Sequence, residues 1–126
     1  MILLDTHVAV WLYEGDLRRL PRRVHARLDQ EALAVSPFVQ LELAYMFELR
    51  RVSGHAEDVI VGLGSALGLV VIDIAASVVC AAAIALTWTR DPFDRLIAAH
   101  AIAANMPLVT RDETMRRHLP LAWWAG

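Results

Sequence analysis

The sequence predicts a single α/β domain over residues 1–126, with a central, mostly parallel sheet of four to five short strands and helices on both faces. Three observations carry this. Short apolar runs at 2–4, 33–35, 69–72 and 108–110 alternate with longer segments of helical periodicity, the pattern of parallel strands joined by right-handed crossovers. With 126 residues, 57% of them hydrophobic, the chain can bury one core without staples. Its one cysteine excludes an intramolecular disulfide framework and fits a reducing compartment.

Each element has a local reason. Ile2-Leu3-Leu4 is a short buried strand ended by Asp5, and residues 7–13 follow as a helix. Pro21 opens a second helix to about residue 29. After the strand at 33–35, Ser36 is an N-cap and Pro37 takes the first helical position of a helix reaching about Arg51. A helix at 55–67 leads through Gly68 to the β-branched run Val70-Val71-Ile72, and Asp73 is placed to cap a helix at 75–87. Asp91-Pro92-Phe93-Asp94 supplies an N-cap, a proline at the first helical position and an acid at the third, starting a helix over 92–104. The strand at 108–110 precedes a last helix at 112–118, for which Asp112 is a cap. Residues 121–125 are an edge strand or an anchor; Trp123 and Trp124 point opposite ways if extended, so one of them packs while the other stays exposed.

No repeat, low-complexity tract or linker divides the chain. Its start lacks the basic and apolar regions of a secretory signal. Residues 59–88 carry one charge, Asp73, and are long enough to cross a bilayer. Their glycines and β-branched run break them into helix, turn, strand and helix, so no membrane partner is expected and the location is cytoplasmic. Cys80 is expected as a small buried hydrophobe.

The charge pattern narrows the function. All twelve basic side chains are arginine, so every cation offered to a phosphate is a planar guanidinium able to bind in bidentate fashion. A net charge of −2 argues against a broad basic face, which leaves local patches at Arg18-Arg19 with Arg22-Arg23, Arg50-Arg51 and Arg116-Arg117, although such a patch is more often just a solvated helix face.

Four acids stand at or near the ends of apolar runs: Asp5, Glu42, Asp94 and Asp112. If the runs are parallel strands, the acids meet at one sheet edge, and close carboxylate pairs repel by roughly 4 kcal/mol at an effective dielectric near 20. Such a group calls for divalent cations. Each acid also has a structural explanation: Asp5, Asp91 and Asp112 suit helix caps, and Asp94 completes the capping pattern of Asp91. Glu42 is least explained locally, because Phe38, Val39, Tyr45 and Met46 lie three and four residues away, and a carboxylate on an apolar stripe must be paired or metal-bound. Oxygen donors suit Mg²⁺, with Mn²⁺ as a substitute, rather than zinc. His7, His25, His55, His100 and His118 are scattered and are not expected as ligands.

The segments Ile-Leu-Leu-Asp-Thr-His at the start, Ser36 through Glu42, Arg-Asp-Pro-Phe-Asp-Arg-Leu-Ile-Ala-Ala-His-Ala, and Leu-Val-Thr-Arg-Asp resemble, in order and spacing, a PIN-domain nuclease of the toxin type called VapC. The resemblance covers essentially the whole chain. It implies a PIN-like fold and an acid site of Asp5, Glu42 and Asp94, with Asp112 as a more variable fourth member. Thr6, Ser36 and Thr110 match polar positions beside the acids, and Asp91 matches a recurrent one; Arg95 and Arg111 are placed to touch phosphate or the acids. The implied activity is Mg²⁺-dependent endonucleolytic hydrolysis of single-stranded or looped RNA, leaving a 5′-phosphate. The implied partners are a second copy in a homodimer and a cognate antitoxin that fills the acidic groove.

Two other classes compete. A phosphoacceptor receiver domain shares the size and clustered acids but needs a lysine, which this chain lacks. A PIN-like module that binds RNA or protein without catalysis would keep the fold and not the metal response.

Overall fold

The computed structural model describes residues 1–125, which form five strands and seven α-helices. Strand β1 is Ile2–Leu4, β2 Leu33–Val35, β3 Val70–Val71, β4 Leu108–Val109 and β5 Ala122–Trp123. Helices α1 (Thr6–Glu14) and α2 (Arg22–Gln30) connect β1 to β2, α3 (Pro37–Glu48) and α4 (Ala56–Leu67) connect β2 to β3, α5 (Ala76–Ile84) and α6 (Pro92–Ala104) connect β3 to β4, and α7 (Glu113–His118) leads to β5. All strand pairs are parallel, in the order β3-β2-β1-β4-β5.

That order sets where a ligand can bind. From β1 the chain moves outward to β2 and β3, then returns across the sheet to β4 and β5, so the direction of winding reverses between β1 and β4. Right-handed crossovers then run over opposite faces on either side of this point, opening a crevice beyond the carboxyl ends of those two strands. The register pairs Leu3 with Leu108 and Leu4 with Val109, which brings Asp5 and Thr110, the next residues of each strand, side by side.

Strands β1, β2 and β4 are short but buried on both faces, while the edge strands β3 and β5 are partly exposed. Ile2, Leu3, Leu4, Leu33, Val35, Leu108 and Val109 are all at most 3% exposed, packed with Val8, Val24, Val39, Leu43 and Ile97 from the surrounding helices. Each such side chain contributes about 1.5–3 kcal/mol, which compensates for strands of only two or three residues.

The structure differs from expectation at several points. Asp73 does not cap α5: the N-cap is Ala75 with no side-chain bond, because the helix begins two residues too late for Asp73 to be its cap. Helix α5 also stops at Ile84, short of residue 87, where Arg95 donates from Nε to the Ala83 carbonyl at 2.8 Å and from a terminal nitrogen to the Ile84 carbonyl at 3.0 Å. Arg95 thus serves the end of a helix rather than the acids. Helix α3 ends at Glu48, where Arg50 takes a left-handed conformation at φ 59° and Arg51 N–H turns back to the Met46 carbonyl. Cys80 is exposed, since α5 buries only the narrow stripe of Val79 and Ala83 against Ala99 of α6. A 3-10 turn at Leu17–Arg19 was not foreseen. Neither tryptophan of the pair stays exposed, contrary to expectation: Trp124 packs edge-on to Trp11, and Trp123 is half-buried against the core beneath the Arg27 guanidinium. Among the described residues no helix is long and apolar enough to cross a membrane.

Candidate active site

The crevice between β1 and β4 opens into a cleft of about 750 Å³, lined by Asp5, Glu42, Asp91, Asp94 and Asp112. Helix starts place four of these five. Asp5, Asp91 and Asp112 are the N-caps of α1, α6 and α7, and Asp94 lies in the first turn of α6. Helices that begin at the carboxyl edge of a parallel sheet carry their caps there, and their positive dipole ends favour negative charge at the same place. Capping and site membership are therefore not alternatives in this chain.

Asp5 is the most buried acid, 7% exposed. One carboxylate oxygen accepts the Thr6 N–H at 2.9 Å and the other accepts the Thr110 hydroxyl at 2.6 Å. Thr110 Oγ1 in turn accepts the Asp112 N–H at 3.1 Å, linking the ends of β1, β4 and α7. Asp112 caps its own helix by accepting the Met115 N–H at 2.9 Å. The buried Thr6 hydroxyl donates to Glu42 Oε1, which joins the first turn of α1 to the middle of α3. Asp91 accepts from the N–H groups of Phe93 and Asp94 at 2.9 and 3.1 Å. Ser36 caps α3 through the Phe38 N–H at 3.0 Å and does not line the cleft. Glu42 sits half-buried on the shoulder of the Val39, Leu43 and Met46 stripe rather than within it.

These acids are electrostatically unfulfilled. None has a salt-bridge partner among the described residues; the ion pairs join Glu31 and Asp16 to the N-terminus and to Arg18, Arg19 and Arg27. Burial, then neighbouring carboxylates, push Asp94 up to about 7. Burial also carries Glu42 up to about 7, against the opposing Thr6 hydrogen bond and with help from Asp5 and Asp91. Asp5 is raised by burial too, although Thr110, Thr6 and His7 pull the other way.

The donor chemistry fits a hard divalent cation: with Glu113 the cleft holds six carboxylates, none of them in a salt bridge with the Arg51, Arg111 and Arg116 guanidiniums that share the lining, and burial opposes the ionisation of Asp5, Glu42 and Asp94. Among the described residues no three His, Cys, Asp or Glu side chains converge as a finished metal cage. Magnesium does not require one, because it keeps several waters and takes only one or two carboxylates together with substrate phosphate.

His7, Trp11, Arg51, Arg111, Glu113, Thr114 and Arg116 complete the lining. Of these, His7, Trp11, Glu113 and Thr114 were not anticipated. A signal existed for two of them, since His7 and Trp11 are one helical turn apart on the face of α1 that starts at Asp5.

A family model described as PIN domain matches residues 2–118, and the chain belongs to the PIN-domain family. It is similar to Ribonuclease VapC22 of Mycobacterium tuberculosis, at 36% identity over 121 residues that span 93% of this chain and 91% of that protein. Among solved structures it resembles a chain of VapBC2 from Rickettsia felis bound to a DNA fragment from their promoter, with TM-score 0.66 and 26% identity over 99% of this chain and 100% of that one. It shares its fold with a chain of DNA-bound VapBC from Salmonella typhimurium, with TM-score 0.61 and 19% identity over 97% and 96% of the two chains.

Proposed function

We propose that the chain is a Mg²⁺-dependent endoribonuclease that hydrolyses RNA phosphodiester bonds, acting as the toxin of a toxin–antitoxin pair and neutralised by a cognate antitoxin. The observation that carries this reading is the group of unpaired carboxylates at the switch point of the sheet. The likeness to Ribonuclease VapC22 supports RNA as substrate, and the likeness to VapBC2 supports an antitoxin partner. Asp5, Glu42, Asp94 and Asp112 are the residues we assign to hold Mg²⁺, or Mn²⁺ in its place. A homodimer and a cytoplasmic location complete the proposal, the latter consistent with the exposed, unpaired Cys80.

A divalent cation bound here would supply the charge that makes water nucleophilic near neutral pH and stabilises the departing oxygen. The chain's own groups do the rest. Thr110 and the Thr6 N–H each hold one oxygen of Asp5, and the Thr6 hydroxyl holds Glu42, so neither carboxylate rotates freely. Without a cation Glu42 and Asp94, both near 7, are divided between protonated and ionised forms at neutral pH, so both would shed their protons and stay ionised as ligands once a cation binds.

The test is cleavage of labelled single-stranded RNA by purified protein in Mg²⁺, in Mn²⁺ and in EDTA. Cleavage in either metal, silence in EDTA and loss in Asp94→Asn with an intact circular-dichroism spectrum are expected. Full activity of that variant refutes the assignment. Failure to bind Mn²⁺ by calorimetry favours a non-catalytic module instead.

A further inference from the structure

The acid cleft adjoins a second groove of about 450 Å³, and the two share His7, Trp11, Arg51 and Arg111 along their border. In the second groove Arg19 is answered by Asp16 at 2.9 Å. Arg51 and Arg111 are exposed and have no salt-bridge partner among the described residues, although six carboxylates line the cleft beside them.

Both guanidiniums are put there by the fold. Arg111 follows Thr110 at the end of β4, and its guanidinium lies 5.2 Å from the centroid of the Trp11 ring, which is itself packed against Trp124. Arg51 is brought back by the left-handed turn at Arg50, which closes α3 with the bond from Arg51 N–H to the Met46 carbonyl at 2.9 Å. Acids and guanidiniums that face one space without pairing leave both charges available. A ligand that satisfies both carries anionic phosphate and arrives with cations, which describes a polynucleotide strand.

We propose that Arg51 and Arg111 form the subsite for the RNA phosphate next to the scissile one, steering the strand from the acid cleft into the groove beside Trp11. This rests on the ribonuclease reading above. Planar guanidiniums match phosphate oxygens in bidentate fashion. With a net charge of −2 the protein has no general field to attract RNA, so local contacts of this kind must supply its affinity.

The experiment measures binding of a fluorescent single-stranded RNA by anisotropy over a range of salt, with Ca²⁺ in place of Mg²⁺ and RNA integrity checked on gels. Arg51→Gln and Arg111→Gln keep the apolar stems and remove the charge. Each is expected to weaken binding about tenfold, the scale of one charge-assisted contact. Each should also reduce the slope of log K against log salt by about 0.7, as for one phosphate contact on a single strand. Arg22→Gln, exposed and outside both clefts, is expected to change neither quantity. Wild-type cleavage in Mg²⁺ with unchanged affinity and slope in both variants overturns the subsite and leaves the ribonuclease reading standing. An equal loss in Arg22→Gln also overturns it, because the attraction is then diffuse. Wild-type protein that neither binds nor cleaves RNA removes both proposals.

Discussion

Replacing Asp94 with asparagine should stabilise the metal-free protein while abolishing its response to metal. The Asp94 carboxyl is half-buried among Asp91, Asp5, Asp112 and Glu42 and is pushed up to about 7, first by burial and then by those acids. A rise from 3.8 to about 7 corresponds to roughly 4 kcal/mol of preference for the protonated form. Solvent screening of a partly exposed group reduces the usable part to about 1–2 kcal/mol. The folded state holds this proton more tightly than the unfolded chain does. Stability is therefore complete below pH 3.8, falls as the pH rises to about 7, and is level above that. Asparagine has the same shape and no charge to desolvate, so the variant should melt about 4–8 °C higher than wild type in EDTA near pH 8. The gap should close towards about pH 4. Manganese at a hundred times its dissociation constant adds about 2.7 kcal/mol to wild type and nothing to a variant that cannot bind it, reversing the order. Circular-dichroism melts at the two pH values, with EDTA and with Mn²⁺, read all four quantities. A variant no more stable than wild type in EDTA near pH 8 would mean that Asp94 is not under repulsion, and the electrostatic account of the site would fail.

Manganese affinity should strengthen as the pH rises to about 7 and level off above it, because Glu42 and Asp94 must each shed a proton to hold the ion. Calorimetry in buffers of different ionisation enthalpy counts those protons, and a pH-independent affinity below about 7 counts against it. Thr110→Val removes the donor to Asp5 and the acceptor of the Asp112 N–H, so it should cost about 1–3 kcal/mol. It should also raise Asp5 further and move the acid limb of the cleavage profile upward; an unmoved limb shows that Thr110 does not tune Asp5. His100 is fully buried with both ring nitrogens unpartnered, so His100→Leu should gain about 1 kcal/mol in urea unfolding. Burial lowers the His100 pKa, so its contribution to wild-type stability is complete above pH 6.5 and is lost as the pH falls below it; a variant that keeps the same acid-side loss contradicts this.

Much of the fold is legible in the chain because local chemistry marks it. Ser36-Pro37 and Asp91-Pro92 start helices where cap and proline say they must, and the β1 and β2 boundaries coincide with the apolar runs. Legibility fails where the deciding contact is remote. The early stop of α5 depends on Arg95, which is eleven and twelve residues away from the carbonyls it holds. The end of α3 depends on a non-glycine residue in a left-handed conformation, for which Arg50 carries no local signal. Glu42 stands out in the sequence as an acid among apolar residues, but its place on the shoulder of that stripe and the partner that holds it, Thr6, 36 positions away, are not legible there.

The sequence by itself determined the ingredients: alternating short strands and helices, acids at helix starts, and guanidinium as the one basic side chain. Periodicity and capping are short-range effects, so they can be read from neighbours. Tertiary structure alone decided that β1 lies between β2 and β4, since strand order depends on which apolar faces bury together over long separations. That order reverses the winding beside Asp5, gathers six carboxylates from four connections into one cleft, and sets Arg51 and Arg111 on its rim. The carboxyls of Glu42 and Asp94 reach about 7 because burial and mutual repulsion act through space rather than along the chain.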